Sequence, residues 1–318
     1  MNIIRYQDIH QSLWDTFITS SKNGHFFFLR DYMDYHRDRF QDHSLMVYDR
    51  KDRLVAVLPA NQTENQLVSH GGLTYGGFIT DEYMKTALML DIFEDLLAYL
   101  CDKGISSVIY KPLPYIFHRL PAEEDHYALF RFGAQLFRRD LNTVVIPSAN
   151  IPFQERRTRI RKKARKSGAE TRPSTDFQSF WVILSENLRT VHNLAPAHSL
   201  DEILLLHGRF PEHIKLFGVF LEETMVAGTV IYENPTVTHT QYIGSSDLGQ
   251  SVGALDLLFW SLLTQEYSET PYFSFGVSTE SGGHHLNTGL TNFKEGFGGR
   301  AILHDFFELP VSRVSDAL

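Results

Sequence analysis

Three stretches of this chain bring together residue types that could do chemistry. The first is Asn292-Phe293-Lys294-Glu295-Gly296-Phe297-Gly298-Gly299. A lysine held among glycines and aromatics could present an ammonium to an oxyanion as it forms. The glutamate beside it could accept a proton. The competing reading is a turn that positions the last strand, with both charges in water. The second stretch runs from Gly244 to Gly253, just ahead of an apolar segment. Helix N-termini expose unpaired N–H groups and the positive end of the dipole, and glycine lets an anion approach the backbone. Gly244, Ser245, Gly249, Gln250, Ser251, Val252 and Gly253 are therefore candidates to line a pyrophosphate cradle. A plain strand-to-helix turn competes evenly. The third stretch carries Arg156, Arg157, Arg159, Arg161, Lys162, Lys163, Arg165 and Lys166 with no acid among them. Its only apolar residues, Ile160 and Ala164, make an i, i+4 pair, so a helix here docks along a thin stripe and shows its cations to water. Such a helix could hold a diphosphate or a nucleic-acid backbone.

The elements that position these residues occur twice. Strand-like runs at 45–48, 54–60 and 66–70, a glycine-rich stretch, a helix about Phe93 and a strand at 105–110 are followed by the same order at 214–221, 225–232, 237–243, Gly244–Gly253, Phe259 and 272–276. Val55 and Val226 lie 171 residues apart, His70 and His239 lie 169 apart, and Phe93 and Phe259 lie 166 apart. That drift suits loop insertions in a duplicated unit. Two units are expected, 1–150 and 151–318, and the last strand of the first could exchange with the second. In this register His70 and His239 are equivalent strand ends, where His239 with Tyr242 could act as acid and base or simply pack. Helices are also expected at 9–20, 28–40, 177–192 and 200–208.

Composition narrows the classes. The net charge of −8 includes eight clustered positive charges, so the remainder carries −16 and repels polyanions everywhere but at that segment. The single cysteine, Cys101, rules out an intramolecular disulfide and any multi-cysteine metal site. No run approaches the roughly 20 apolar residues of a membrane span. The expectation is a cytoplasmic protein with no metal and no tightly bound cofactor.

The order of three strands, glycine loop, helix and strand resembles the GNAT acyltransferase fold, in mixed sheets flanked by helices. In that fold acyl-CoA lies between two splayed strands, its pyrophosphate on the loop. Here Leu255 stands where the family pattern has a small residue. The tandem arrangement resembles the FemABX-type (FemAB-like) transferases more specifically. Carrying that resemblance are His25-Phe26-Phe27-Phe28-Leu29 before Tyr32, the pair Gly76-Gly77, the Arg157–Ala164 region and the terminal Phe-Lys-x-Gly-Phe-Gly-Gly. The resemblance implies a bacterial enzyme that moves an acyl or aminoacyl group from acyl-CoA or aminoacyl-tRNA to an amine of a phosphorylated, cell-wall-type or glycan-linked acceptor. It implies that Lys294 stabilises the tetrahedral intermediate, and that Arg37 joins the basic helix in holding acceptor phosphates. His239, Tyr242 and Glu295 remain the candidate proton carriers. The alternatives are CoA-dependent acylation of a sugar or small amine, and a non-catalytic phosphate- or RNA-binding protein on a decayed transferase fold. The oligomeric state is left open.

Overall fold

A computed structural model describes residues 1–192 and 194–312. They form two compact units. Unit 1 comprises 1–140, 281–284 and 303 onward; unit 2 comprises 141–280 and 285–302. The chain is thus not divided at a single point after residue 150, as a simple duplication would divide it. A closing strand is chosen by the edge that it can hydrogen-bond, not by its place in the chain. Phe307–Pro310 closes unit 1 by pairing antiparallel with Tyr110–Ser107. Asn142–Val145, from the first half of the sequence, closes unit 2 by pairing antiparallel with Val277–Phe273.

In unit 1, Asn2–Arg5, Leu45–Tyr48, Leu54–Leu58 and Ile79–Thr80 form one antiparallel sheet. Gln66–Val68 runs parallel to Ser107–Ile109. The helix Thr86–Asp102 buries Met89, Ile92, Phe93, Leu96, Leu97 and Leu100. That is the stripe expected of 3.6-residue periodicity, and burying such side chains is worth about 1.5–3 kcal/mol each. The helix expected over 28–40 is only the short Arg30–Met33 flanked by single 3₁₀ turns. Phe26, Phe27, Phe28 and Tyr32 are all buried there. Enclosing rings on every side suits a folded-back segment better than an amphipathic helix.

In unit 2, Ala169–Ser174, Ile214–Leu221, Thr224–Glu233 and Val237–Ser245 form an antiparallel ladder. Tyr272–Val277 then adds parallel to Val237–Ser245. Eight consecutive residues, Met225–Tyr232, are buried, so helices must cover both faces of that strand. Phe177–His192 and Ala254–Ser261 both pack on it. The expected loop at 244–253 is mostly regular. The strand continues to Ser245, Ser246 caps a helix over Asp247–Val252, and Gly253 (φ 84°) breaks it before Ala254–Ser261. The cause is local: Ser246 Oγ accepts the Gly249 N–H and nucleates the turn.

Candidate active site

The parallel pairing in unit 2 stops early. Val237, Thr238 and His239 face Tyr272, Phe273 and Ser274, and there the ladder ends. Beyond this rung the first strand runs on to Ser245, paired with its other neighbouring strand and, at Ser245, bonded by the Asn187 side chain. A bulge at Gln241 shifts that pairing, with Ile231 opposite Thr240 and Val230 opposite Tyr242. Bulges bend a strand and strengthen its twist. The two strands therefore part at His239 and Ser274, leaving a gap that no other strand among the described residues fills.

His239 and Lys294 meet at this gap. Gly276 turns the departing strand at φ 75°, and a Cβ built there would lie 3.4 Å from His239 Cε1. The Lys294 ammonium comes from the helix Thr288–Glu295, which is capped by the Asn287 side chain. It donates to the carbonyls of Gly276 and Val277 and to Ser278 Oγ, each at 2.8 Å. Lys294 is 2% exposed. Burial lowers its pKa to about 7, so the neutral amine is populated at neutral pH. His239 Nδ1 lies 3.0 Å from Ser274 Oγ. Ser274 Oγ in turn lies 3.1 Å from Asn142 Nδ2 and 3.2 Å from Asn142 Oδ1, and accepts the Gly276 N–H at 3.4 Å. The imidazole is enclosed but keeps some accessible surface. Burial and then the Lys294 charge lower its pKa to about 4, so the ring is neutral at physiological pH.

The other expected proton carriers stand apart. The Tyr242 hydroxyl accepts the His198 N–H at 3.1 Å and lies 2.5 Å from His198 Nδ1. Burial raises its pKa to about 12. Tyr242 therefore ties down the loop before Leu200–Arg209. Glu295 follows Lys294 and so points about 100° round the helix. It is half-buried, and no hydrogen bond or ion pair among the described residues joins its carboxylate to Lys294 or His239.

The glycines of the expected pyrophosphate cradle are closely packed on their Cβ side. A Cβ on Gly249 would meet the Val226 carbonyl oxygen at 2.2 Å, and one on Gly253 would meet Ile160 Cγ2 at 2.1 Å. Gln250 Nε2 bonds the Ser245 carbonyl, Ser251 Oγ bonds the Leu248 carbonyl, and Val252 packs on the core. A Cβ on Gly244 meets only ordinary contacts. These glycines let a helix sit close on a strand and on the basic helix.

The basic helix, Glu155–Lys166, is less uniformly solvated than its composition suggests. Arg157 is buried, paired with Asp256 at 3.1 Å, and lies 4.6 Å over the Phe293 ring. Arg157, Ile160, Arg161 and Ala164 follow i, i+3, i+4, i+7 spacing, and the inward stripe is this set rather than Ile160 and Ala164 alone. Arg161 stacks over Trp260 at 4.3 Å and lines a pocket of about 580 Å³ with Pro147, Ile151, Phe153 and Leu263. Lys163 Nζ bonds the Ser251 carbonyl at 2.6 Å. Arg156, Arg159, Lys162, Lys163, Arg165 and Lys166 are exposed. Arg37 lies on unit 1, exposed and paired with Asp8 at 3.3 Å.

A scan against protein-family models and a search of the curated proteins each match nothing. Solved structures do match. FemX superposes with a TM-score of 0.68 at 10% identity, over 98% of each chain. The C-terminal domain of a putative lysylphosphatidylglycerol synthetase from Agrobacterium fabrum gives 0.61 at 12% identity, over 98% of this chain and 94% of that one. A tandem GNAT protein from the clavulanic acid biosynthesis pathway gives 0.51 at 9% identity, over 98% of each chain. The fold is the tandem GNAT fold of FemX.

Within that fold the two units differ at the gap. In unit 1 the chain stays bonded beyond the parallel ladder. The Ser69 N–H bonds the Ile109 carbonyl, Ser69 Oγ takes the Lys111 N–H, and Gly76 bridges to Pro112. Unit 1 nonetheless holds a buried lysine of its own. Lys111 Nζ bonds the carbonyls of His70 and Leu73, and burial lowers its pKa to about 7. Lys111, Asn142, Ser274 and Ser278 were not among the residues singled out from the sequence. A lysine ending a β-branched strand run is the one available signal for Lys111; serine and asparagine within apolar strands give none.

Proposed function

We propose that the protein is an acyltransferase working at the gap in unit 2, and that its donor is an aminoacyl ester on RNA rather than acyl-CoA. The observation that carries the reading is the parting of parallel strands at His239 and Ser274 with Lys294 beside it. An amine of the acceptor would attack the ester carbonyl, forming a C–N bond and a tetrahedral oxyanion. Collapse would break the C–O bond and release the ribose hydroxyl, with one proton passing from the attacking nitrogen to the leaving oxygen. Three features favour the ester. Gly249 and Gly253 are packed against Val226 and Ile160 on their Cβ side, Leu255 replaces a small residue, and six exposed cations on one helix suit a long polyanion. A phosphorylated acceptor, of the cell-wall-precursor kind on which the resemblance to FemABX transferases bears, would use the same cations.

The test is transfer of a radiolabelled amino acid from charged tRNA to a UDP-linked muropeptide, beside acetyl-CoA and succinyl-CoA titrated in the same buffer. The expected result is product from charged tRNA, weakening steeply with salt, and no saturable binding of either CoA. Micromolar CoA binding would restore the thioester as donor. Salt-dependent RNA binding without turnover would make the protein a non-catalytic binder.

A further inference from the structure

The reaction proposed above needs a group to carry the proton, and the resemblance leaves open which. Lys294 is poorly placed for that or for meeting the oxyanion. In its ammonium form all three N–H bonds are already directed at Gly276 O, Val277 O and Ser278 Oγ. Turning one toward a substrate would strand a buried acceptor. His239 differs. Nδ1 is engaged by Ser274, and no hydrogen bond from a described residue reaches Nε2. The Asn142 amide decides the tautomer. With Asn142 Nδ2 donating to Ser274 Oγ, the serine proton goes to Nδ1; with Asn142 Oδ1 taking the serine proton, Ser274 Oγ accepts the Gly276 N–H and Nδ1–H from the ring. In the second arrangement Nε2 carries a lone pair at the gap.

We infer that His239 is the proton carrier of the transfer, and that Ser274 and Asn142 are positioning residues that hold it as the Nδ1–H tautomer with Nε2 facing the substrate. This inference rests on the acyltransferase reading. Nε2 takes the proton from the attacking nitrogen as the C–N bond forms, and returns it to the leaving oxygen as the C–O bond breaks. The ring ends as it began, and nothing is oxidised or reduced. Burial and then the charge of Lys294, the charged group that the ring feels, keep the resting imidazole neutral. Ser274 and Asn142 carry no charge.

Two measurements on the full chain decide the matter. In the transfer assay, His239→Gln is expected to lower kcat by about 10²–10⁴, the usual share of a general base, with KM within about threefold. Asn142→Asp places a carboxylate at the end of the chain, favours the imidazolium, and should move the acid limb of the pH–rate profile upward by a unit or more. A merely structural Asn142 would change the rate without moving that limb. Independently of turnover, nitrogen NMR of histidine-labelled protein should show His239 protonated at Nδ1, with Ser274→Ala releasing it to a tautomer mixture. An active wild type with an equally active His239→Gln overturns the inference and leaves the acyltransferase reading standing. A wild type that transfers nothing overturns the reading of function. In that case an Nε2–H tautomer by NMR also overturns the geometry inferred here, and an Nδ1–H tautomer upholds it.

Discussion

The Arg157 guanidinium sits against a carboxylate and the faces of Phe293 and Phe297, inside a helix whose other cations mostly face water. Deleting it leaves the Asp256 carboxylate buried, with its pKa already raised by burial. Breaking a buried pair from one side costs about 3–5 kcal/mol, whereas an exposed arginine contributes within about 0.5 kcal/mol. Arg157→Ala should therefore lower the urea midpoint sharply and Arg159→Ala should not, while Arg159→Ala alone should weaken polyanion binding. Equal effects of the two on stability would mean that Arg157 does not carry the pair. The contrast shows what one sequence reveals at this scale. Eight cations in a row read as a solvated face, and charge alone hides the one that is buried. The i, i+3, i+4, i+7 spacing through Ile160 and Ala164 marks Arg157 as an inward position, but only once an arginine is allowed to belong to the apolar stripe. Lys294 was legible as a singular residue because of the glycines and aromatics around it. What it bonds was not, because its acceptors lie 16 to 18 residues away on another element.

At the scale of elements, most strands of unit 2 fall where alternation and β-branched runs place them: Ile214–Leu221, Thr224–Glu233 and Tyr272–Val277 lie within two residues of expectation. The glycine segment is where local reading fails. Gly253 has the left-handed φ of 84° and also the closest neighbour, Ile160 Cγ2, across which the basic helix docks. Pattern alone cannot separate a glycine kept free for a ligand from one kept small for a neighbouring helix, since both need close approach. The structure gives Gly253 the second role, and double substitution tests it. Gly253→Ala combines backbone strain with a clash and should destabilise by about 2 kcal/mol or more. Ile160→Ala, which removes the clashing methyl, should recover part of that loss in the double variant but not the part due to φ. Strict additivity of the two substitutions would show that they are not in contact.

At the scale of the whole molecule, the duplicated order of elements was legible from drifting long-range spacings, and the exchange of a closing strand was open from the sequence as a possibility whose partner edges only the structure gives. Hydrophobic patterning says that 136–146 and 300–309 are strands, each within one residue of the observed Gln135–Val145 and Arg300–Pro310, but not which edge each will join. Each unit also encloses histidines that are held neutral. Burial and then the neighbouring charges lower His70 to about 3 and His304 to about 4 in unit 1, and burial and Lys294 lower His239 to about 4 in unit 2. An unfolded histidine titrates near pH 6.5, so between about pH 6.5 and 4 the unfolded chain binds more protons than the folded one, and stability falls as pH falls. A shift of roughly 2.5 units corresponds to about 3 kcal/mol for one ring, complete above the unfolded value and lost toward the folded one. The buried lysines extend the trend upward. Lys111 and Lys294, lowered to about 7, are less protonated when folded than the unfolded lysine that titrates near 10.4, so stability should keep rising from pH 7 toward 10. Urea denaturation across pH 4 to 10 should thus give a midpoint that climbs through most of the range. The acid part of the slope should flatten in His304→Gln for unit 1 and in His239→Gln for unit 2, if the units unfold separately enough to be read apart. A midpoint level from pH 4 to 6.5 would show that the enclosed rings confer no acid sensitivity, and a slope that both variants leave unchanged would place it in other groups such as the surface carboxylates.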